Sequence, residues 1–251
     1  MYDAHPVFES PSDDGVAIWR YLDLAKFVSM LQSRSLYFPR ADLLGDPHEC
    51  SVPEKTRVAR LSRTAAPTSE SWEHDVRVDP PRVLVPRAVF VSCWNISENE
   101  NAALWSVYGK SIAIETTFGA LRDSFASLDE PVHVGCVKYI DYEADAFPPD
   151  NLLHAVVHKR RFFENERELR AVILGQPTFS DWHYLDASSS WLGDRRPAVT
   201  VPVDLAGLIG RLWIAPNQTM LEDVVRGLLQ RYDLPDVEVQ PSGLDDVAWR
   251  F

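Results

Sequence analysis

Apolar residues along the chain recur with two periods. Residues 16–21 form a short run of strand formers. Asp23 then caps an amphipathic helix with Leu24, Phe27, Val28 and Leu31 on one face. Residues 36–38 predict a second strand, and the segment ADLLGDPHE over 41–49 predicts a turn-rich loop. The apolar run 87–93 has the pattern of a buried strand. Ser97 and Glu100 have capping-box spacing ahead of a helix that carries Ala102, Leu104, Trp105 and Tyr108 and stops at Gly109. A strand at 112–115 follows, and Thr117 caps a helix with Phe118, Leu121 and Phe125 inward. Further on, the pattern predicts a long strand over 132–142 and a helix over 151–163. It then predicts strands at 166–174, 198–203, 212–215 and 237–240, with an amphipathic helix at 218–231.

Short strands mixed irregularly with helices argue for an α+β fold: a single domain over 16–251, with a mixed, mainly antiparallel sheet and flanking helices. Residues 1–15 are polar and read as a flexible arm. Residues 51–82 are polar with little periodicity and read as an insertion, partly helical. Residues 176–197 read as a long loop bearing Trp182, His183, Tyr184 and Trp191.

Charge narrows the functional classes. A formal net charge of −12 excludes binding of nucleic acid by a diffuse basic surface. The densest local basic cluster is His158-Lys159-Arg160-Arg161. No apolar run reaches the length of a membrane span, and the acidic N-terminus lacks the apolar stretch of a secretory signal. The three cysteines are scattered and form no CxxC pair. The expectation is a reduced, cytoplasmic protein away from membranes, with no metal site.

Several motifs are missing: the dinucleotide fingerprint, the phosphate loop, the nucleophile elbow and the HExxH helix. His154 and His158 lie four apart, but no third zinc ligand is implied, so both read as packing residues. Cys93, inside an apolar strand, reads as a small core residue.

The unusual stretch is 159–170, KRRFFENERELR. On a strand, Glu166, Glu168 and Arg170 would share one face, with neighbours about 7 Å apart. Two carboxylates so aligned raise one pKa, and such groups mark functional sites. A solvated edge neutralised by Arg170 and nearby bases accounts equally for the pattern.

The ordered motifs DLLGDPHE, VSCWN, ALWSVYG, IAIETT, VKYIDY and HKRRFFENERELR resemble a bacterial family catalogued as domain of unknown function 2971. The resemblance covers roughly residues 18–175, with Lys159, Phe163, Glu166, Glu168 and Arg170 on its last motif and Phe163 where the family often has Trp. It implies a bacterial cytoplasmic protein and brings no settled activity.

A second resemblance is to the arginine, serine, glutamate series of ADP-ribosyltransferases, through Trp19-Arg20-Tyr21, Phe90-Val-Ser92 and Glu166-Arg-Glu168. It implies an enzyme that consumes NAD and transfers ADP-ribose to a macromolecular acceptor, protein or nucleic acid, in the manner of a toxin or defence effector. Glu168 would face the positive charge developing on the ribose, and Glu166 would orient or deprotonate the acceptor. Arg20 would hold the pyrophosphate and Ser92 would fix the sheet around the pocket. Trp105 and Tyr108 would wall the nicotinamide, and Tyr21 and Arg170 complete the cofactor set. Each residue also has a plain structural reading: a surface ion pair for Arg20, a backbone-bonding serine, a core-facing Trp105 and Tyr108. Two other classes stay open. One is a metal-dependent nuclease using Glu166, Glu168 and the 159–161 bases. The other is a non-catalytic module that binds a ligand or partner.

Overall fold

A computed structural model of the chain describes residues 1–62, 85–108, 111–175 and 196–245. Its centre is a seven-stranded sheet in the order β11-β10-β4-β1-β3-β8-β5. The strands are β1 (Ala17–Leu22), β3 (Val89–Ile96), β4 (Ile112–Thr117), β5 (His133–Cys136), β8 (Glu168–Leu174), β10 (Arg211–Ile214) and β11 (Glu238–Pro241). Only the β10–β11 pair is parallel, so the α+β expectation holds. Two small sheets flank it. β2 (Ser35–Pro39) pairs antiparallel with β9 (Ala198–Pro202), and β6 (Lys138–Ile140) pairs parallel with β7 (His158–Arg160).

The pleat sorts the side chains onto two faces. Ile18 and Leu22 of β1, Phe90 and Trp94 of β3, and Leu169, Ala171 and Ile173 of β8 enter one large apolar core. Covering it are α1 (Leu24–Ser33), whose N-cap Asp23 accepts a hydrogen bond from Lys26 N, α4 (Phe118–Asp123), capped by Thr117, the short α6 (Leu205–Leu208) and α7 (Leu221–Arg231). The opposite face carries two smaller clusters. One holds Val91, Val172, Ala155 and Val157, and the other Trp19, Tyr21, Leu104, Trp105 and Ala113. Between these clusters the face is charged.

Local structure departs from the sequence pattern at four places. The stretch 132–142 is two strands in different sheets, because at Val137 the backbone N–H turns to bond the Glu168 carbonyl. The stretch 151–163 keeps one helical turn, α5 (His154–Val157); the β-branched pair Val156-Val157 then leads into β7 and a 3-10 helix, Arg161–Glu166. Asn101, rather than Ser97, caps α3 (Ala102–Val107), accepting from Ala103 N and Leu104 N. Glu100 is engaged elsewhere, taking bonds from Trp105 Nε1, Ser242 Oγ and Gly243 N.

The fourth departure is the N-terminal arm, which is docked along the outer edge of β5. Val132 N bonds Met1 O, Asp3 N bonds Val132 O, and Cys136 N bonds Glu9 O at 2.8 Å. Phe8 packs over Gly135, where a Cβ would come within 2.8 Å of the Phe8 backbone. The arm thereby satisfies donors that a bare edge strand would expose. Within the expected insertion, α2 (Glu54–Leu61) is helical and Thr56 is buried, bonding Phe147. Residues 63–84, and 176–195 of the expected long loop, lie outside the described residues. Among the described residues no helix is long and apolar enough to cross a membrane.

Candidate functional site

The charged patch centres on Arg170, whose side chain has no exposed surface. Its guanidinium grips Glu168 with two parallel bonds, Nε to Oε1 at 2.8 Å and Nη2 to Oε2 at 3.0 Å. Nη1 bonds the Val156 carbonyl at 2.7 Å and lies 2.6 Å from Glu49 Oε1. Lys159 joins from β7, with Nζ 3.2 Å from Glu168 Oε2 and 2.5 Å from Glu166 Oε2. The second oxygen of Glu166 accepts the Tyr108 hydroxyl at 2.6 Å. Three carboxylates thus surround two cations, and Tyr108 adds a neutral donor for the extra negative charge.

Glu166 and Glu168 do not share a strand face. β8 begins at Glu168, and Arg167 before it takes a left-handed backbone with φ 40°. Glu166 ends the preceding 3-10 helix, and its carbonyl accepts Asn95 Nδ2 at 2.6 Å. Lys159 brings the two acids together.

The electrostatics oppose the expected raised carboxylate pKa. Burial pushes Glu168 upward, but Arg170 and Lys159 outweigh it and hold the acid well below its ordinary range. Burial works against the Lys159 charge as well, yet Glu168 foremost keeps that ammonium above its usual value. Burial and the Glu166 hydrogen bond raise the Tyr108 hydroxyl, and burial raises the Cys93 thiol. These four groups therefore stay in one protonation state at neutral pH, and none of them is poised to exchange a proton. Both Glu168 oxygens are already bonded to cations, so neither is open to a ribose.

The patch extends into the 41–49 turn. Asp46 pairs with Arg160 at 2.6 Å, as Glu49 does with Arg170, so two ion pairs join DLLGDPHE to HKRRFFENERELR. A cavity of about 350 Å³ opens here, lined by Asp42, Asp46, Glu49, Ser51 and Arg87. Asp42 is bonded by Arg40 at 2.6 Å. Ser51 Oγ is buried with no hydrogen-bond partner, and Glu49 Oε1, though ion-paired, accepts no hydrogen bond.

The residues expected to form one site fall into three groups. Glu166, Glu168, Arg170 and Tyr108 meet in the charged patch. Arg20 and Ser92 are bonded to each other at 2.7 Å, but on the opposite face of the sheet, the side of Ile18 and Trp94. Tyr21 and Trp105 pack edge to face at 5.0 Å in the apolar cluster beneath α3. The cofactor wall expected of Trp105 is a core contact, and its indole N–H serves Glu100. Arg20 and Glu168 point away from each other because β1 and β3 pair Trp19, not Arg20, with Asn95, the partner of Glu168. The 159–161 bases are likewise occupied, by Glu166 and Glu168, by Asp46 and by Asp145. Among the described residues no group of His, Cys, Asp and Glu side chains is arranged to hold a metal ion. His158 bonds the His154 carbonyl and packs on Phe147, as packing histidines do.

Sequence reasoning passed over Glu49, Asp46, Ser51 and Asn95. The turn motif DPHE contained two of them; only their long-range partners make them part of the site. No family model, no curated protein and no solved structure matches the chain.

Proposed function

We propose that the chain is a module that binds a small polar molecule in the cavity beside the 46–49 turn. The observation that carries this reading is the acidic lining of that cavity, where Asp42, Asp46 and Glu49 border a space of about 350 Å³. A wall rich in carboxylates favours a ligand that supplies N–H or O–H donors. Arg87 adds one donor on the protein's side, so the complement is a donor-rich molecule such as an amine, an amidine or an amino-substituted base.

The carboxylates of the ion network serve as scaffold in this reading. Their ion pairs, Asp46 with Arg160 and Glu49 with Arg170, hold the turn against β7 and β8. This is the third of the classes open from the sequence. The transferase class requires Arg20 and Glu168 to reach the same NAD molecule, which their opposite faces argue against.

The test is a thermal-unfolding screen of the full chain against amines, amino acids, nucleobases, sugars and NAD, with nicotinamide measured in the NAD arm. Saturable stabilisation by a donor-rich compound, lost in Asp42→Asn, supports the reading. No stabilisation by any member overturns it. Sustained nicotinamide release abolished by Glu168→Gln replaces it with ADP-ribosyl transfer.

A further inference from the structure

Three packed rings fasten the N-terminal arm to β5. Phe8 stacks on His133 with 5.2 Å between ring centres. His5 meets both rings edge to face, at 5.7 Å from Phe8 and 5.5 Å from His133. Phe8 and His133 are buried, and His5 is half-buried. Backbone groups fix both imidazoles. The Val7 N–H donates to His5 Nδ1 at 3.2 Å, so that nitrogen carries no proton. His133 Nδ1 donates to the Asp3 carbonyl at 2.8 Å, so that nitrogen carries one.

A further proton does not fit this arrangement. An imidazolium has an N–H on both nitrogens and accepts nothing. Charging His5 sets its new N–H against the Val7 N–H and places a positive charge beside His133. The nearby Asp3 carboxylate favours the charged ring. Burial and His133 outweigh it and hold the His5 pKa below its ordinary value of 6.5. Further along the arm, Glu9 is engaged by Lys138 of β6, and His154 and His158 face that pair.

We propose that the His5–Phe8–His133 cluster is a pH-sensitive clasp, in which protonation of His5 detaches the arm and bares the edge of β5. Detachment frees Asp3 N from Val132 O and Cys136 N from Glu9 O. A detached arm takes up its proton near 6.5 and a docked arm only at lower pH, so docking is complete above 6.5 and weakens as pH falls below it. The clasp is independent of the polar cavity.

The experiment is hydrogen exchange of the full chain, corrected for the intrinsic pH dependence of exchange. It follows Asp3 N and Cys136 N, with Ile96 N, which bonds the Arg167 carbonyl inside the sheet, as internal control. Protection at the first two is expected to fall about tenfold from about pH 7.5 to about pH 5.5, while Ile96 N holds. In His5→Asn the side-chain oxygen still accepts the Val7 N–H, as in an Asx turn, but takes no proton, so protection is expected to stay level over the same range. Constant protection in the wild type, an equal loss at Ile96 N, or the wild-type loss persisting in His5→Asn overturns the proposal. Should His5→Asn leave the arm unprotected at every pH, the wild-type imidazole resonances decide. A His5 ring that titrates below 6.5 in step with the loss of protection supports the clasp, and one that titrates at or above 6.5, or out of step, overturns it.

Discussion

The two faces of the central sheet solve burial in opposite ways. On one, Ile18, Leu22, Phe90, Trp94 and Leu169 meet α1, α4 and α7 in a nearly continuous apolar layer interrupted by Arg20. On the other, two apolar clusters are separated by Glu49, Glu168, Arg170 and Lys159, all buried. The first face draws stability from area, which is tolerant of which apolar residue stands where. The second depends on matched charges, whose desolvation is offset only while every partner is in place. The charged face is therefore the one that fails abruptly.

The largest expected effect tests that asymmetry. Arg170→Met removes the cation and leaves Glu49 and Glu168 buried without it, a change expected to cost about 3–5 kcal/mol. A swap of similar volume on the other face, Leu31→Met, is expected to cost under about 1.5 kcal/mol. Urea denaturation of the two variants measures the contrast. Equal losses would mean that the charges contribute no more than packing.

Acid sharpens the same comparison. The folded-state pKa of Glu168 lies below its unfolded value of 4.5, so its ionised form stabilises the fold. That contribution is complete above the unfolded value and is lost as pH falls through the folded one. Wild-type stability is expected to drop steeply from about pH 5 downward. Glu168→Gln, less stable at neutral pH, should show a flatter curve, so the gap between the two narrows in acid. Parallel curves in a pH series of denaturation midpoints would show that Glu168 gains nothing from Arg170 and Lys159.

The docked arm closes the charged face from the side of β5. Gly135 pairs with Arg170 across the strands, and Phe8 occupies the space that a side chain there would need. Gly135→Ala must push back the Phe8 backbone, at about 1–3 kcal/mol. Hydrogen exchange at Cys136 N, which bonds Glu9 O, should quicken in that variant. Unchanged protection would mean that the arm does not depend on the close approach.

Much of this architecture can be read along the chain, because β1, β3, β4 and α1 alternate or repeat apolar residues against one core and their caps are local. What escapes such reading is long-range or left-handed. Arg167 is not glycine, so nothing in ENEREL announces the φ of 40° that takes Glu166 off the strand. Glu49 and Asp46 sit in a turn whose composition signals only a bend, and their partners stand more than a hundred residues away. The arm looked free because its polarity hides the edge-strand bonds made by its backbone. Period two correctly places Glu168 and Arg170 on one side, but it is silent on whether Arg20 shares that side, which the β1–β3 register decides.

The smallest effect lies where the charged face meets solvent. Tyr108 is half exposed, and among the described residues its hydroxyl is the neutral donor that Glu166 accepts alongside the Lys159 ammonium. Tyr108→Phe removes that bond and leaves the ring, so the loss is expected near 0.5–1 kcal/mol, the usual net value of one hydrogen bond with water able to replace it. Deep in the patch the same deletion would cost far more, because Glu168 is buried and its lost partner is not readily replaced. If Tyr108→Phe proved as damaging as Arg170→Met, Glu166 would belong to the buried network rather than to its rim. The gradient of sensitivity from β8 outward would then disappear, and with it the distinction between a scaffold of fixed charges and an edge open to ligands.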